Sequence, residues 1–314
     1  MRREQREAGK IMIFWQRLPL PTAALALALA AIGNFAAWLR PLCAVSALFL
    51  WSLVLIKYTL LPQSLQQDLQ DDVLAGVWPT FLMAGMNLAV YAQSYLGWKV
   101  SSKLFWLAML GLHLAWVVVL TIRLLKKRQW QSLSPALMVT YVGVAVGAIT
   151  APAFGEQRSG LLLVYGGLIA AGLCAVLLLR QRLHHPVTAE GRRPLVCIYA
   201  APISLCLAGY LQCAEAPQLF WVGLALTAAL LCYAAVLSAL PELMRLPFYP
   251  SKAAMTFPMV ISALAAKQST AFLQCAGYGS SLLTLLVVLQ EVIAIALTLY
   301  VLAAFVTYLA KAVS

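Results

Sequence analysis

The chain has 314 residues, of which 63% are hydrophobic and 10% charged, with a net charge of +12 and a mean hydropathy of +0.88. A soluble domain averages about 25% charged residues, so this little charge cannot coat a water-facing globule and lipid must solvate most of the surface. The basic residues sit in short clusters between apolar runs rather than on one face, which excludes nucleic acid as a partner and marks the loops of a membrane protein.

In chain order, Arg2, Arg3, Arg6 and Lys10 precede an Ala/Leu-rich run. That outline resembles a signal peptide. However, Pro19 and Pro21 open a run that continues to Leu39 with more spans behind it, so it is read as a first transmembrane helix. Ten runs reach the roughly 20 residues needed to cross a bilayer. They lie near 18–39, 41–61, 76–96, 103–125, 133–154, 159–181, 194–213, 217–240, 250–273 and 281–309. This predicts a cytoplasmic N-terminal segment over 1–17 and a single ten-helix transmembrane channel domain over 18–310, in an all-α integral membrane fold.

With the N-terminus inside, every one of the 22 Lys and Arg residues falls on the inner side except Arg40, Lys99, Lys103, Arg158 and Lys267. The inner set includes Arg17, Lys57, Arg123, Lys126, Lys127, Arg128, Arg180, Arg182, Arg192, Arg193, Arg245, Lys252 and Lys311. The positive-inside rule therefore predicts both termini in the cytoplasm and an even number of spans in the cell membrane. The acids Asp68, Asp71 and Asp72 fall inside too.

The spans alternate in character. Odd spans are rich in small residues and proline, with Pro21, Pro79, Pro135, Pro202 and Pro258 among them. Even spans run in Leu, Val and Trp with fewer breaks. Odd spans begin roughly 60 residues apart, the signature of a two-helix hairpin repeated five times. Small residues let helices approach closely, and proline breaks at membrane depth are tolerated where they line an aqueous path. Five such helices around an axis predict a narrow pore of pseudo-five-fold form.

The sequence has no GxxxxGK[ST] loop, no HExxH and no GxSxG elbow. It is not read as an enzyme, and neither cofactor nor metal is expected. His113 is expected to hydrogen-bond between helices, and His184 and His185 to be solvated. The seven cysteines, Cys43, Cys174, Cys197, Cys206, Cys213, Cys232 and Cys275, form no CxxC pair and read as small apolar residues.

Charges within spans are costly and usually paired or functional. Lys267 in the ninth span and Glu291 in the tenth permit three readings: a structural ion pair, an outer-pore attractor at Lys267, or a proton-coupling acid at Glu291. Glu242 reads as interfacial. The odd spans otherwise carry neutral polar residues: Thr22, Asn34, Thr80, Asn87, Thr140, Ser204, Thr256, Ser262, Gln268 and Ser269. A lining without acids, under a basic inner rim, favours anions or neutral solutes over cations. Phe257 lies between Thr256 and Pro258 in a bent, small-residue span. Its ring is either ordinary packing or a plug on the axis.

The stretches LPLPTAALALALAAIGNF, SPALMVTYVGVAVGAITAPAFG, IYAAPISLCLAGYL and LPFYPSKAAMTFPMVISALAAKQSTAFL resemble the tellurite-resistance/dicarboxylate transporter family. This family includes the bacterial tellurite-resistance channels and the plant slow anion channel. The resemblance covers nearly the whole chain. It implies ten helices as five hairpins with the odd helices lining a pore, and a homotrimer with one pore per subunit. It also implies a phenylalanine gate in the penultimate helix. Thr256-Phe257-Pro258 matches the gate context, and Pro21, Pro79, Pro135, Pro202 and Pro258 match the proline-bearing pore helices. The expected function is a passive anion channel gated by Phe257. The alternatives are a proton-coupled carrier of malate-like C4-dicarboxylates and a non-transporting scaffold or sensor. Its partners are small inorganic or organic anions and the lipid bilayer.

Overall fold

The computed structural model describes residues 11–127, 133–184 and 189–313. Arg2, Arg3, Arg6, Lys10, Arg128 and His185 of the basic clusters lie outside the described residues.

The first span is not one helix over 18–39. Helix α1 (Ile11–Arg17) and helix α2 (Thr22–Ile32) meet at a 76° bend. Pro19 and Pro21 supply no N–H to continue α1, so the chain turns and restarts. Beyond Ile32 a separate 3-10 turn, Ala37–Leu39, leads into α3 (Arg40–Leu60). The loop expected next holds a short helix, α4 (Pro62–Gln70), before α5 (Asp72–Val77), whose first turn is capped by Asp71 accepting from the N–H groups of Val73 and Leu74.

Helix α6 (Pro79–Leu96) ends at Gly97, whose φ of 68° is open to glycine at little cost, and the chain reverses into α7 (Lys99–Lys127). The following span is broken into α8 (Ala136–Tyr141) and α9 (Ala145–Thr150), followed by α10 (Gln157–His184). A 3-10 stretch, Glu190–Ala200, leads to α11 (Ala201–Cys213) and α12 (Leu219–Arg245). A second, Pro250–Met255, leads to α13 (Phe257–Cys275) and α14 (Ser281–Val313).

This is an all-α, multi-pass membrane fold. Among the described residues, eight helices are long and apolar enough to cross a membrane, and nine if the bent first pair counts as one span. Helix α13 is not among them. The polar run Lys267-Gln268-Ser269-Thr270 lowers its hydropathy.

Burial alternates along the chain. In the apolar windows of Asp72–Leu96, Ala136–Phe154 and Glu190–Cys213, 72% of residues are buried, against 22–28% in those of Ala37–Leu60, Lys99–Lys126, Gln157–Leu183, Leu219–Arg245 and Ser281–Lys311. All 11 residues of α2 are buried, and α13 is buried without interruption from Phe257 to Ala266. The exposed helices present Leu42, Phe49, Leu104, Leu162, Leu224 and Leu285 outward, a surface suited to lipid.

Each buried segment packs on the exposed helix that follows it: α2 on α3, α6 on α7, α9 on α10, α11 on α12 and α13 on α14. The buried segments also pack on one another. Helix α2 meets α6, α6 meets α9, α9 meets α11, α11 meets α13, and α13 returns to α2, so the contacts close on themselves.

Close approach between buried segments depends on small residues. A Cβ on Gly76 would lie 2.8 Å from the Ala136 Cβ and 3.0 Å from that residue's backbone C and O. The Gly76 carbonyl also accepts a hydrogen bond of 2.9 Å from the Thr140 hydroxyl, tying α5 to α8. Backbone atoms yield less readily than a flexible side chain. Gly76→Ala is therefore expected to lower stability by about 1–3 kcal/mol, measured as the unfolding midpoint of the detergent-solubilised protein.

Ion pairs pin the ends of the segments. Lys57 on α3 is buried and donates to the Leu18 carbonyl and to Asp68, both at 3.0 Å, while the Tyr58 hydroxyl donates to the same carboxylate at 2.8 Å. Arg123 pairs with Asp72 at 2.7 Å and also donates to the carbonyls of Leu69 and Gln70. Arg193 pairs with the exposed Glu242 at 2.5 Å, and Lys103 with Glu156 at 2.7 Å. Removing one partner of a buried pair leaves the other charge stranded. Asp68→Ala is expected to cost about 3–5 kcal/mol, seen as a lower unfolding midpoint.

Candidate functional site

The buried segments border a partly open cavity of about 100 Å³. All five contribute to its wall. Helix α2 and the turn before it give Pro21 and Ala24; α5 and α6 give Val73, Leu74, Val77, Thr80 and Met83. The broken span gives Met138, Val139 and Val142, and the 3-10 stretch with α11 gives Leu195, Ile198, Ala201, Pro202 and Leu205. The last segment gives Pro250, Ser251, Ala253, Ala254, Phe257 and Pro258.

The cavity sits where helices begin. Pro21 precedes α2, Thr80 is in the first turn of α6, Ala201 opens α11 and Phe257 opens α13. All five singled-out prolines lie at helix starts: Pro21 and Pro135 immediately before α2 and α8, and Pro79, Pro202 and Pro258 in the first turns of α6, α11 and α13. A first-turn proline gives up an N–H that has no partner within the helix, and its fixed φ suits the helix. They therefore set where helices start rather than kinking a continuous one. Pro21, Pro202 and Pro258 line the cavity, whereas Pro79 and Pro135 are not in its wall.

Phe257 is buried and forms part of the wall, at the junction of the last 3-10 stretch and α13. Among the described residues no aromatic ring stacks on it. Thr256 is fully buried and its hydroxyl donates to the Ala253 carbonyl at 2.7 Å, so this side chain serves the turn and not the wall.

The wall is far less polar than the sequence suggested. Of the ten neutral polar residues expected to line it, Thr80 alone does so. Ser204 and Ser262 both donate to the Ala200 carbonyl at 3.0 Å and knit α11 to α13. Thr140 is engaged by Gly76, Asn34 donates to the Ala31 carbonyl and Asn87 to the Met83 carbonyl. Thr22, Gln268 and Ser269 carry buried polar atoms without a partner but are not in the wall. The other polar lining residue is Ser251, whose hydroxyl donates to the Gly191 carbonyl at 2.5 Å. That leaves the Thr80 hydroxyl, buried and without a partner, as the one unengaged side-chain donor in the wall.

The two span charges are brought together. The Lys267 ammonium lies 2.9 Å from a Glu291 carboxylate oxygen and also donates to the Phe35 carbonyl beyond the end of α2. This joins α2, α13 and α14 in the half of α13 away from Phe257, and neither residue is in the cavity wall. His113 bonds through Nε2 to the Thr140 carbonyl at 2.9 Å, linking α7 to α8 as expected. Among the described residues, no group of three or more His, Cys, Asp or Glu side chains is gathered to hold a metal, and all seven cysteines are free.

Sequence reasoning missed two things. The apolar lining residues, such as Val77, Met138, Ile198 and Leu205, carry no signal that separates them from core. Lys57 and Lys252 read as cations on the inner side, yet both are buried.

The model of the family described as "SLAC1: Voltage-dependent anion channel" matches residues 10–309. No curated protein matches the chain.

Proposed function

The chain belongs to the SLAC1 voltage-dependent anion channel family, also known as the tellurite-resistance/dicarboxylate transporters, and from that premise we propose that it is a passive channel for small anions whose path runs through the central cavity and is closed by Phe257. The observation that carries this reading is the cavity itself, walled by all five buried segments with the Phe257 ring in the wall. A narrow apolar passage resists wetting, and while it stays dry it stops ions without a mechanical lid. Helix starts face the cavity, and their positive dipole ends favour an anion over a cation once water enters.

The finer architecture is part of the same proposal. Ten crossings form five hairpins, residues 18–310 make one channel domain, and both termini lie in the cytoplasm behind a short segment over 1–17. The closed cycle of contacts among buried segments supports the five-fold form. The four loop ion pairs support the sidedness: Lys57–Asp68, Arg123–Asp72, Arg193–Glu242 and Lys103–Glu156 each join residues that the alternation of spans puts on one side. The family resemblance supports a homotrimer in the cell membrane.

Lys267 and Glu291 act here as a structural pair, supported by their 2.9 Å contact and their place outside the wall. The test uses purified protein in liposomes. A channel releases anions down their gradient with no response to an imposed pH gradient. Uptake of malate driven by protons and lost in Glu291→Gln would instead establish the carrier, and no anion flux even in Phe257→Ala would leave only the scaffold or sensor.

A further inference from the structure

Lys252 sits in the 3-10 stretch that leads to Phe257, between Ser251 and Ala253, both of which line the cavity. Its side chain turns away from the wall and is buried, with 2% of the residue exposed. The ammonium donates to the carbonyls of Leu246 at 2.8 Å and Met244 at 3.3 Å, and to the Tyr300 hydroxyl at 3.1 Å. It also lies 5.4 Å from the centre of the Tyr300 ring. All three hydrogen-bond partners are neutral.

Lys57, the other buried lysine, is neutralised by Asp68. Lys103, Arg123, Arg193 and Lys267 each have a carboxylate. Lys252 has none among the described residues. The carbonyl end of α12 (partial charge about −0.5) offsets only part of a full positive charge. A buried ammonium without a counter-ion is costly, and the structure holds it one residue from the cavity wall on either side.

We propose that Lys252 is the fixed charge that sets the anion preference of the cavity, acting at a distance through the low-dielectric wall rather than by touching the ion. The inference rests on the channel reading above. At a separation of roughly 10 Å and an effective dielectric near 20, a unit charge changes ion occupancy about tenfold. It favours an anion and opposes a cation, so both effects move the permeability ratio in one direction. Because the ammonium is off the axis, the ion meets no tight site that would retain it.

The experiment measures reversal potentials in planar bilayers under a KCl gradient, with Phe257→Ala as the open background. Lys252→Met in that background is expected to lower the chloride-to-potassium permeability ratio at least tenfold, and Lys252→Arg to restore it. Tyr300→Glu places a carboxylate beside the retained lysine and is expected to lower the ratio in the same way. This second route remains informative where Lys252→Met fails to fold, and a lysine that only braces the turn would not produce it. An open-background current with an unchanged ratio in Lys252→Met, or in Tyr300→Glu should Lys252→Met not fold, overturns the role of Lys252 alone. No current in Phe257→Ala itself overturns the channel reading and this inference with it.

Discussion

Phe257→Ala is expected to raise anion conductance on the order of tenfold or more over the wild-type protein in planar bilayers, because it removes the ring that narrows a dry passage. The size of the effect follows from how a hydrophobic constriction works. The wall offers an ion almost nothing in place of its water, so conduction waits on wetting, and wetting depends steeply on width. Phe257→Leu shortens the side chain without emptying the space and is expected to fall between the two. The same substitutions separate a gate from a packing residue. Truncating a well-packed core phenylalanine costs about 3–5 kcal/mol and leaves a cavity. A ring that already borders open space loses fewer contacts, so the unfolding midpoint should fall by less than that. A well-folded Phe257→Ala protein with unchanged current would defeat the gate, and a strongly destabilised one with no gain in current would return Phe257 to the core.

The alternation between buried and exposed spans was legible because it is a matter of composition: small residues and prolines on one partner, Leu and Val on the other. Segment ends were less so. Pro19 and Pro21 marked a break, but nothing local said that α1 would leave at 76° and that α2 would stop at Ile32. The polar residues misled for a geometric reason. On a helix buried on every side, a serine faces the axis or a neighbouring helix according to rotation, and Ser204 and Ser262 turned toward each other, 3.2 Å apart. Lys252 was hidden by its stem, since four methylenes carry an ammonium into a carbonyl cluster that the sequence places eight and six residues earlier. Phe257 is one of 11 phenylalanines. Its residue type and position allowed a plug without requiring one, and the resemblance decided between plug and packing.

Relative permeability among anions should follow the ease of shedding water, with thiocyanate above nitrate, nitrate above chloride, and malate lowest. The wall contains no basic side chain, and its one unengaged side-chain donor is the Thr80 hydroxyl. An ion entering it gives up hydrogen bonds to water and regains few, so desolvation decides the order. A difference of 1.4 kcal/mol in that cost is tenfold in permeability, and thiocyanate is therefore expected to exceed chloride by about that factor or more in bi-ionic reversal potentials on Phe257→Ala. Malate carries two charges, and no pair of arginines stands in the wall to clamp a carboxylate. Thr80→Val keeps the shape of the side chain and removes the donor. It should depress chloride more than thiocyanate, since the strongly hydrated ion gains more from a single hydroxyl, and so widen the ratio. An order with chloride or malate first would mean that the ion meets donors other than these walls, and that its path does not run through this cavity.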